Sequence, residues 1–84
     1  MKLYKFYGDF CAPCKVLSAL LEKMELKVPI IEVNIEDDDE DLVTKYHIRN
    51  VPTLILVDKN ETELARIVGT ASEDAINKMI SKYE

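Results

Sequence analysis

The sequence feature that most restricts the fold is a pair of cysteines, Cys11 and Cys14, placed between a strand-like segment and a helix-like one. Residues 3–7 alternate and are rich in aromatic side chains, which predicts a strand, and Gly8 and Asp9 end it. After the pair, apolar residues recur at helical spacing: Val16, Leu17, Leu20, Leu21 and Met24. Val28 and Pro29 are expected to end this helix. The cysteines therefore lie at a strand-to-helix turn.

This position favours a reactive thiol. The first turn of a helix has unpaired backbone N–H groups and the positive end of the helix dipole, so a thiolate at Cys11 would be stabilised. Pro13 fits the first turn, where its missing N–H would have had no intrahelical partner. We expect Cys11 to face outward and Cys14 to begin a buried helical turn, so that one cysteine attacks and the other resolves.

A bare pair with two intervening residues has three other interpretations: half of a zinc site, a structural disulfide, or two unremarkable thiols. A structural zinc site needs four ligands, and the chain has two cysteines and a single histidine, His47. A disulfide across two residues closes a small loop and adds little stability by chain entropy. The strand-to-helix context favours redox chemistry and predicts no metal site.

Length and composition indicate one small domain spanning residues 1–84. Hydrophobic residues make up 48% of the 84, which is enough to form a packed core. The formal net charge of −5 argues against a nucleic-acid partner, because phosphate binding needs a basic face. No apolar run suits a signal peptide or a membrane span, so we expect a cytoplasmic monomer in a reducing compartment, with no membrane partner.

The rest of the chain continues the alternation of strands and helices. Strands are predicted at residues 30–35, 54–57 and 62–68, the last two forming a hairpin around a turn at residues 58–61. Ser72 is expected to cap a final helix with a buried stripe of Ile76, Met79, Ile80 and Tyr83. The order β-α-β-α-β-β-α predicts an α/β fold with a mixed four-stranded sheet and helices on both faces.

Six consecutive acidic residues, 36–41, have two interpretations. They form either a partner-selecting patch or the first turn of a helix, where acidic side chains complement the dipole and cap N–H groups. Leu42, Val43 and Tyr46 follow at helical spacing, which favours the helix. His47 is expected to end that helix, as a cation near its C-terminus.

The chain resembles the thioredoxin family over nearly its whole length, and three separated segments carry the resemblance. They are Cys11-Ala12-Pro13-Cys14-Lys15, Ile48-Arg49-Asn50-Val51-Pro52-Thr53 and Val68-Gly69-Thr70-Ala71-Ser72. The resemblance implies that the Val51–Pro52 bond is cis, that Pro52 packs beside the two sulfurs, and that the backbone of Val51 pairs with an extended substrate segment. The implied contact surface consists of Phe10, Ala12, Pro13, Val51, Thr70 and Ala71.

The chain departs from that family in several ways. It lacks the N-terminal strand and helix that thioredoxins usually carry, so its length is that of a glutaredoxin, and Phe10 replaces the usual tryptophan. The positions of the buried acid and its lysine partner are Lys5 and Glu32, so the charges are exchanged. One hypothesis is a mutually neutralised pair beneath Cys14, with Glu32 taking the proton from Cys14. The other is two surface charges.

The resemblance implies a thiol–disulfide oxidoreductase that reduces protein disulfides through Cys11 and Cys14. A thioredoxin reductase would return the electrons by the same exchange, so no bound cofactor is needed. Lys15 is either a further support for the thiolate or a solvated residue. One alternative is a glutaredoxin that uses glutathione, held near Ser72 and Asp74; another is a non-enzymatic module whose cysteines hold a metal or cluster between two copies.

Overall fold

The computed structural model describes residues 1–84 and contains the seven elements in the predicted order. They are β1 (Lys2–Tyr7), α1 (Ala12–Lys23), β2 (Ile30–Asn34), α2 (Leu42–Lys45), β3 (Thr53–Val57), β4 (Glu63–Val68) and α3 (Glu73–Tyr83). The sheet order is β2-β1-β3-β4, with β1 parallel to β2 and antiparallel to β3. The predicted mixed four-stranded sheet is confirmed. No helix has the length and apolar character that a membrane span requires.

The sheet separates two apolar layers, because successive side chains of a strand point to opposite faces. Leu3 of β1 packs in the layer beneath α1 and α3, together with Leu17, Leu21, Ile76 and Ile80. Tyr4 and Phe6 lie in the opposite layer, with Leu42 and Tyr46 around α2. Strand β3 is buried along its whole length, as expected for a strand covered on both faces.

The topology brings four chain segments to one end of the sheet. Tyr7 at the end of β1 pairs with Asn34 at the end of β2. Thr53 at the start of β3 lies between Phe6 of β1 and Val68 at the end of β4. The segments that follow β1, β2 and β4, and the one that precedes β3, are therefore neighbours.

The first helix is shorter than predicted, and its apolar stripe is narrower. It ends at Lys23 because Met24 adopts extended dihedral angles, whereas the sequence suggested an end near Val28 and Pro29. Val16 is 64% exposed, although it was expected to be in the stripe. The buried residues of α1 are Cys14, Leu17 and Leu21. Val16 is about 100° of helical rotation from Leu17 and falls outside that face.

The acidic run precedes α2 instead of forming its first turn, so that prediction is wrong. Both carboxylate oxygens of Asp38 accept backbone hydrogen bonds, from Leu42 N at 3.0 Å and Val43 N at 2.8 Å. Asp41 has a left-handed φ of 56°, which the first turn of a helix does not allow. The expected capping by an aspartate is present, but the helix is only four residues long. His47 follows it, also at a left-handed φ of 54°.

Replacing Asp38 with Asn should lower the free energy of unfolding by about 1 kcal/mol, because a neutral side chain with one acceptor oxygen replaces a carboxylate that caps two N–H groups. Urea unfolding of the variant beside Asp39→Asn checks this. Asp39 is exposed and makes no side-chain hydrogen bond, so its variant is the matched control. Equal stability of the two variants would contradict the capping role.

A charged cluster joins the hairpin turn to the start of β1. Lys2 Nζ lies 2.7 Å from Glu61 Oε2, and the Tyr4 hydroxyl donates to Glu61 Oε1. These contacts lower the pKa of the Glu61 carboxyl and raise that of Lys2 to about 12, chiefly through the hydrogen bond between them. Burial, and then the neighbouring carboxylate, raise the pKa of Tyr4. The cluster therefore ties the hairpin turn to the first strand of the chain.

Stability should fall in acid through Glu61. Its folded pKa is below the unfolded value of 4.5, so its contribution is complete above that value and disappears as the pH falls through the folded pKa. Glu61→Gln should therefore be less stable than the native chain at neutral pH, and the two should converge in strong acid. Urea unfolding across this pH range checks it, with the exposed Glu40→Gln as control. A gap that does not depend on pH would contradict this account.

Candidate active site

The two cysteines form a disulfide at the N-terminus of α1. Cys11 is the N-cap residue, with extended dihedral angles, and its Sγ accepts a hydrogen bond from Cys14 N at 3.1 Å. Their Cα atoms are 5.2 Å apart. Cys14 is 3% exposed and lies in the first turn of the helix, whereas Cys11 is half-buried. A partly exposed cysteine and a buried one therefore share one helix terminus, whose N–H groups favour negative charge.

The Val51–Pro52 peptide bond is cis, and Pro52 is fully buried. The loop is anchored from two sides: Gly69 N donates to Pro52 O at 2.8 Å, and Thr53 Oγ1 donates to Asn50 O at 2.7 Å. Val51 is half-buried, and its own backbone N–H and C=O have no hydrogen-bond partner within the chain. Val51 therefore has a free backbone donor and a free backbone acceptor next to the buried proline.

The loop that precedes Cys11 (residues 8–10) contacts the cis-proline loop (residues 50–52) at Gly8. A Cβ placed on Gly8 would lie 3.8 Å from Val51 Cγ2 and 3.9 Å from Ile35 Cδ1, so only ordinary contact distance separates the loops. Asn34 Nδ2 donates to Asp9 Oδ1 at 2.8 Å and ties the same loop to the end of β2. The structure therefore places Pro52, Val51 and the cysteines at one end of the sheet.

The other residues expected around the pair differ in their exposure. Phe10 is 99% exposed, and Ala12, Pro13 and Thr70 are also exposed. Ala71 is half-buried and packs against the core beneath α3. Val68 at the end of β4 is 55% exposed, and sequence reasoning did not single it out. The sequence signal that could have identified Val68 is its position directly before Gly69, at the end of a predicted strand.

Lys5 and Glu32 form an ion pair on neighbouring strands, with Nζ and Oε1 2.6 Å apart. The Lys5 side chain is 4% exposed and the Glu32 side chain 59%, so neither sequence hypothesis fits completely. Lys5 is buried, and only its partner reaches solvent. The Lys5 ammonium also donates to Ser18 Oγ, and it lies 5.4 Å from the centre of the Tyr7 ring. Three groups thus satisfy one buried cation.

This cation lines an open pocket of about 390 Å³ that also contains Cys14. The lining residues are Lys5, Tyr7, Gly8, Asp9, Cys14, Lys15, Ser18, Ala19, Glu22 and Glu32. Sequence reasoning missed Ser18, although its spacing of four residues from Cys14 places it one helical turn away on the same face. Lys15 is exposed at the pocket rim.

The residues named for the alternatives occupy ordinary structural positions. Ser72 Oγ accepts from Ala75 N at 3.1 Å and caps α3, as predicted, and Asp74 pairs with Lys78 at 3.0 Å. His47 is exposed on the chain that leaves α2. No group of three or more histidine, cysteine, aspartate or glutamate side chains is placed to hold a metal ion.

A cysteine disulfide at a helix N-terminus, beside a cis-proline loop on a mixed sheet, defines a thiol–disulfide oxidoreductase. A family model described as Thioredoxin matches residues 1–82. Thioredoxin of Chlamydia trachomatis is 34% identical over 98% of this chain and 81% of its own length, and that of Chlamydia pneumoniae is 31% identical over 96% and 80%. The chain belongs to the thioredoxin family.

Solved structures agree with this assignment. A mutant thioredoxin from Halobacterium salinarum superposes with a TM-score of 0.85 at 30% identity, covering 96% of this chain and 72% of that one. Thioredoxin f2 of Chlamydomonas reinhardtii gives 0.80 at 28% identity, covering 98% and 77%. The resemblance inferred from the three sequence segments is confirmed.

Proposed function

We propose that this protein reduces disulfides in protein substrates by dithiol–disulfide exchange, with Cys11 as nucleophile and Cys14 as resolving thiol. The observation that carries the proposal is the Cys11–Cys14 disulfide at the start of α1, with one cysteine partly exposed and the other buried. A thioredoxin reductase returns the electrons, no resident cofactor or metal takes part, and the protein acts as a monomer in the reducing cytoplasm. Membership of the thioredoxin family supports this substrate class and this electron source.

The reaction has two exchanges. The Cys11 thiolate attacks one sulfur of the substrate disulfide, a Cys11–substrate bond forms, and the other substrate sulfur leaves as a thiolate that takes up a proton. Cys14, after losing its proton, attacks Cys11 Sγ; the Cys11–Cys14 bond forms and the second substrate sulfur leaves. Two electrons pass from the cysteine pair to the substrate.

The start of α1 stabilises the first thiolate. The backbone N–H of Cys14 already donates to Cys11 Sγ, and such a bond strengthens when the sulfur becomes anionic. The helix dipole acts in the same direction. Partial exposure of Cys11 gives a substrate disulfide access to it.

The substrate lies extended across the proline loop. The free N–H and C=O of Val51 pair with its backbone in a one-residue β-augmentation, and cis-Pro52 holds that edge beside the sulfurs. Phe10, Ala12 and Pro13 supply apolar contact on one side of Cys11, and Thr70 and Ala71 supply contact on the other.

Reduction of insulin disulfides tests the reaction, with electrons from NADPH through either a thioredoxin reductase or glutathione with its reductase. We expect turnover with the first system, and a loss of at least about 10³-fold in Cys11→Ser, because no other side chain replaces the nucleophile. Cys14→Ser should instead accumulate a mixed disulfide that mass spectrometry detects.

The other results separate the alternatives. Turnover with glutathione only would overturn the proposed electron source and favour a glutaredoxin. Absence of turnover with both systems would favour the binding module, and metal or iron analysis of the purified protein would then test that directly.

Glu32 is proposed as the group that accepts the proton of Cys14, directly or through a water. It lines the same pocket as Cys14, its carboxylate is held by Lys5, and its partial exposure allows the proton to pass on to solvent. A positioned general base contributes roughly 10²-fold or more to a proton-transfer step.

Replacing Glu32 with Gln should slow the resolving exchange, because an amide cannot accept the proton. Stopped-flow reaction with an aromatic disulfide, dithiobis(nitrobenzoate), separates the steps, since each exchange releases one coloured thiolate. We expect the second phase to slow by about tenfold or more and the first to change little. Glu22→Gln, in the same pocket but without an ion pair, is the control. An unchanged second phase would remove the proposed role.

A further inference from the structure

We propose that Ser18 is a positioning residue of the resolving exchange: its hydroxyl holds the Lys5 ammonium against α1, where that cation is the counter-ion of the Cys14 thiolate. The inference rests on the proposed function, since it assigns a charge partner to the resolving step. It concerns a side chain that contacts neither substrate nor sulfur.

The position of the ammonium follows from its contacts. Lys5 lies on the face of β1 that α1 covers, and its Nζ donates to Ser18 Oγ and to Glu32 Oε1. Ser18 follows Cys14 by four residues, so their Cβ atoms are about 6 Å apart on adjacent turns. Lys5, Ser18, Glu32 and Cys14 line one pocket, so the cation and the covered thiol face the same space.

Charge explains why the ammonium must stay in place. When the Cys14 proton passes to the Glu32 carboxylate, the thiol becomes a thiolate and the carboxylate becomes neutral. The negative charge then moves from one neighbour of Lys5 to another. Cys14 is 3% exposed, so solvent stabilises its thiolate poorly and a fixed opposite charge has a large effect.

Ser18 is the partner that does not change during this transfer. The ion pair between Lys5 and Glu32 weakens when Glu32 is protonated. The neutral Ser18 hydroxyl accepts a hydrogen bond from the ammonium both before and after the proton transfer. The Tyr7 ring, 5.4 Å away, is the other constant neighbour. Without the hydroxyl, a lysine with four rotatable bonds would follow Glu32 towards solvent, since that carboxylate is 59% exposed.

The charged or titratable groups around this cation come from three elements and a loop. They are Tyr7 on β1, Asp9 in the following loop, Cys14, Lys15 and Glu22 on α1, and Glu32 on β2. Among them, only Glu32 is within ion-pair distance of Lys5.

The test is the pH dependence of the second phase with dithiobis(nitrobenzoate), which follows Cys14 directly. A nearby opposite charge lowers the pH midpoint of a thiol by about one unit or more, so Lys5→Met should raise the midpoint of Cys14 by about one unit and slow the phase about tenfold below it. Ser18→Ala should shift the midpoint in the same direction, by about half as much. Ser18→Thr retains the hydroxyl and should restore the native midpoint.

Controls separate this from a structural effect and from failure of the proposed function. Ser81→Ala, an exposed serine on α3, should leave both phases unchanged. Circular dichroism and urea unfolding identify any variant that does not fold. The reagent needs neither a protein substrate nor a reductase, so a chain inactive on insulin still reports the midpoint. Native midpoints in folded Ser18→Ala and Lys5→Met would overturn the proposal.

The redox equilibrium with glutathione gives a second measure. Above the pH midpoint of Cys14 the reduced pair carries its thiolate, so loss of the cation that stabilises this thiolate should lower the equilibrium constant for reduction of the Cys11–Cys14 disulfide. The expected change in Ser18→Ala is about threefold, which is about 15 mV for a two-electron couple. An unchanged or larger constant would count against the proposal, and Ser18→Thr should again match the native chain.

Discussion

The architecture depends on β1, a central strand that pairs on both edges and is covered on both faces. Its pairing is parallel with β2 and antiparallel with β3, so the end of β1 meets the end of one neighbour and the start of the other. The cysteine pair, the proline loop, Lys5 and Glu32 all lie on these three strands or in the segments next to them. A one-residue slip of β1 would exchange the two layers, placing Lys5 with the Tyr4 side of the sheet and removing it from α1.

The burial of Lys5 is the most expensive local feature of this arrangement. An isolated ammonium moved into a protein interior costs several kcal/mol, and a single ion pair with an exposed carboxylate does not offset that. Here a hydroxyl, a carboxylate and an aromatic face surround the cation. Such a set stabilises the charge without removing it, which leaves its field available to a neighbouring thiol.

Much of the fold could be predicted because β1 and β3 are short runs rich in aromatic or aliphatic residues, whereas the long helices follow an apolar period of about 3.6 residues. The length of α2 could not be predicted from the acidic residues before it. Asp41 adopts a left-handed φ, which keeps the acidic run out of the helix. In the site, the cysteine pair could be identified from the sequence alone, since two cysteines separated by two residues predict redox chemistry. The unequal burial of Lys5 and Glu32 could not be predicted, because both residue types are usually found at the surface. The role proposed for Ser18 depends on a contact between α1 and Lys5 of β1, which local sequence does not encode.

The exchange of charges relative to the usual thioredoxin arrangement changes which group is fixed. In that arrangement the buried group is the carboxylate, and a lysine on the next strand is its partner. In this chain the cation is held in the interior, and the carboxylate lies at the pocket mouth, 59% exposed. A base in the position proposed for Glu32 exchanges its proton with solvent readily, and the interior cation is the group proposed to favour the remaining thiolate. The proposal therefore divides the two functions of the pair, removing a proton and stabilising the resulting charge, between an exposed residue and a buried one.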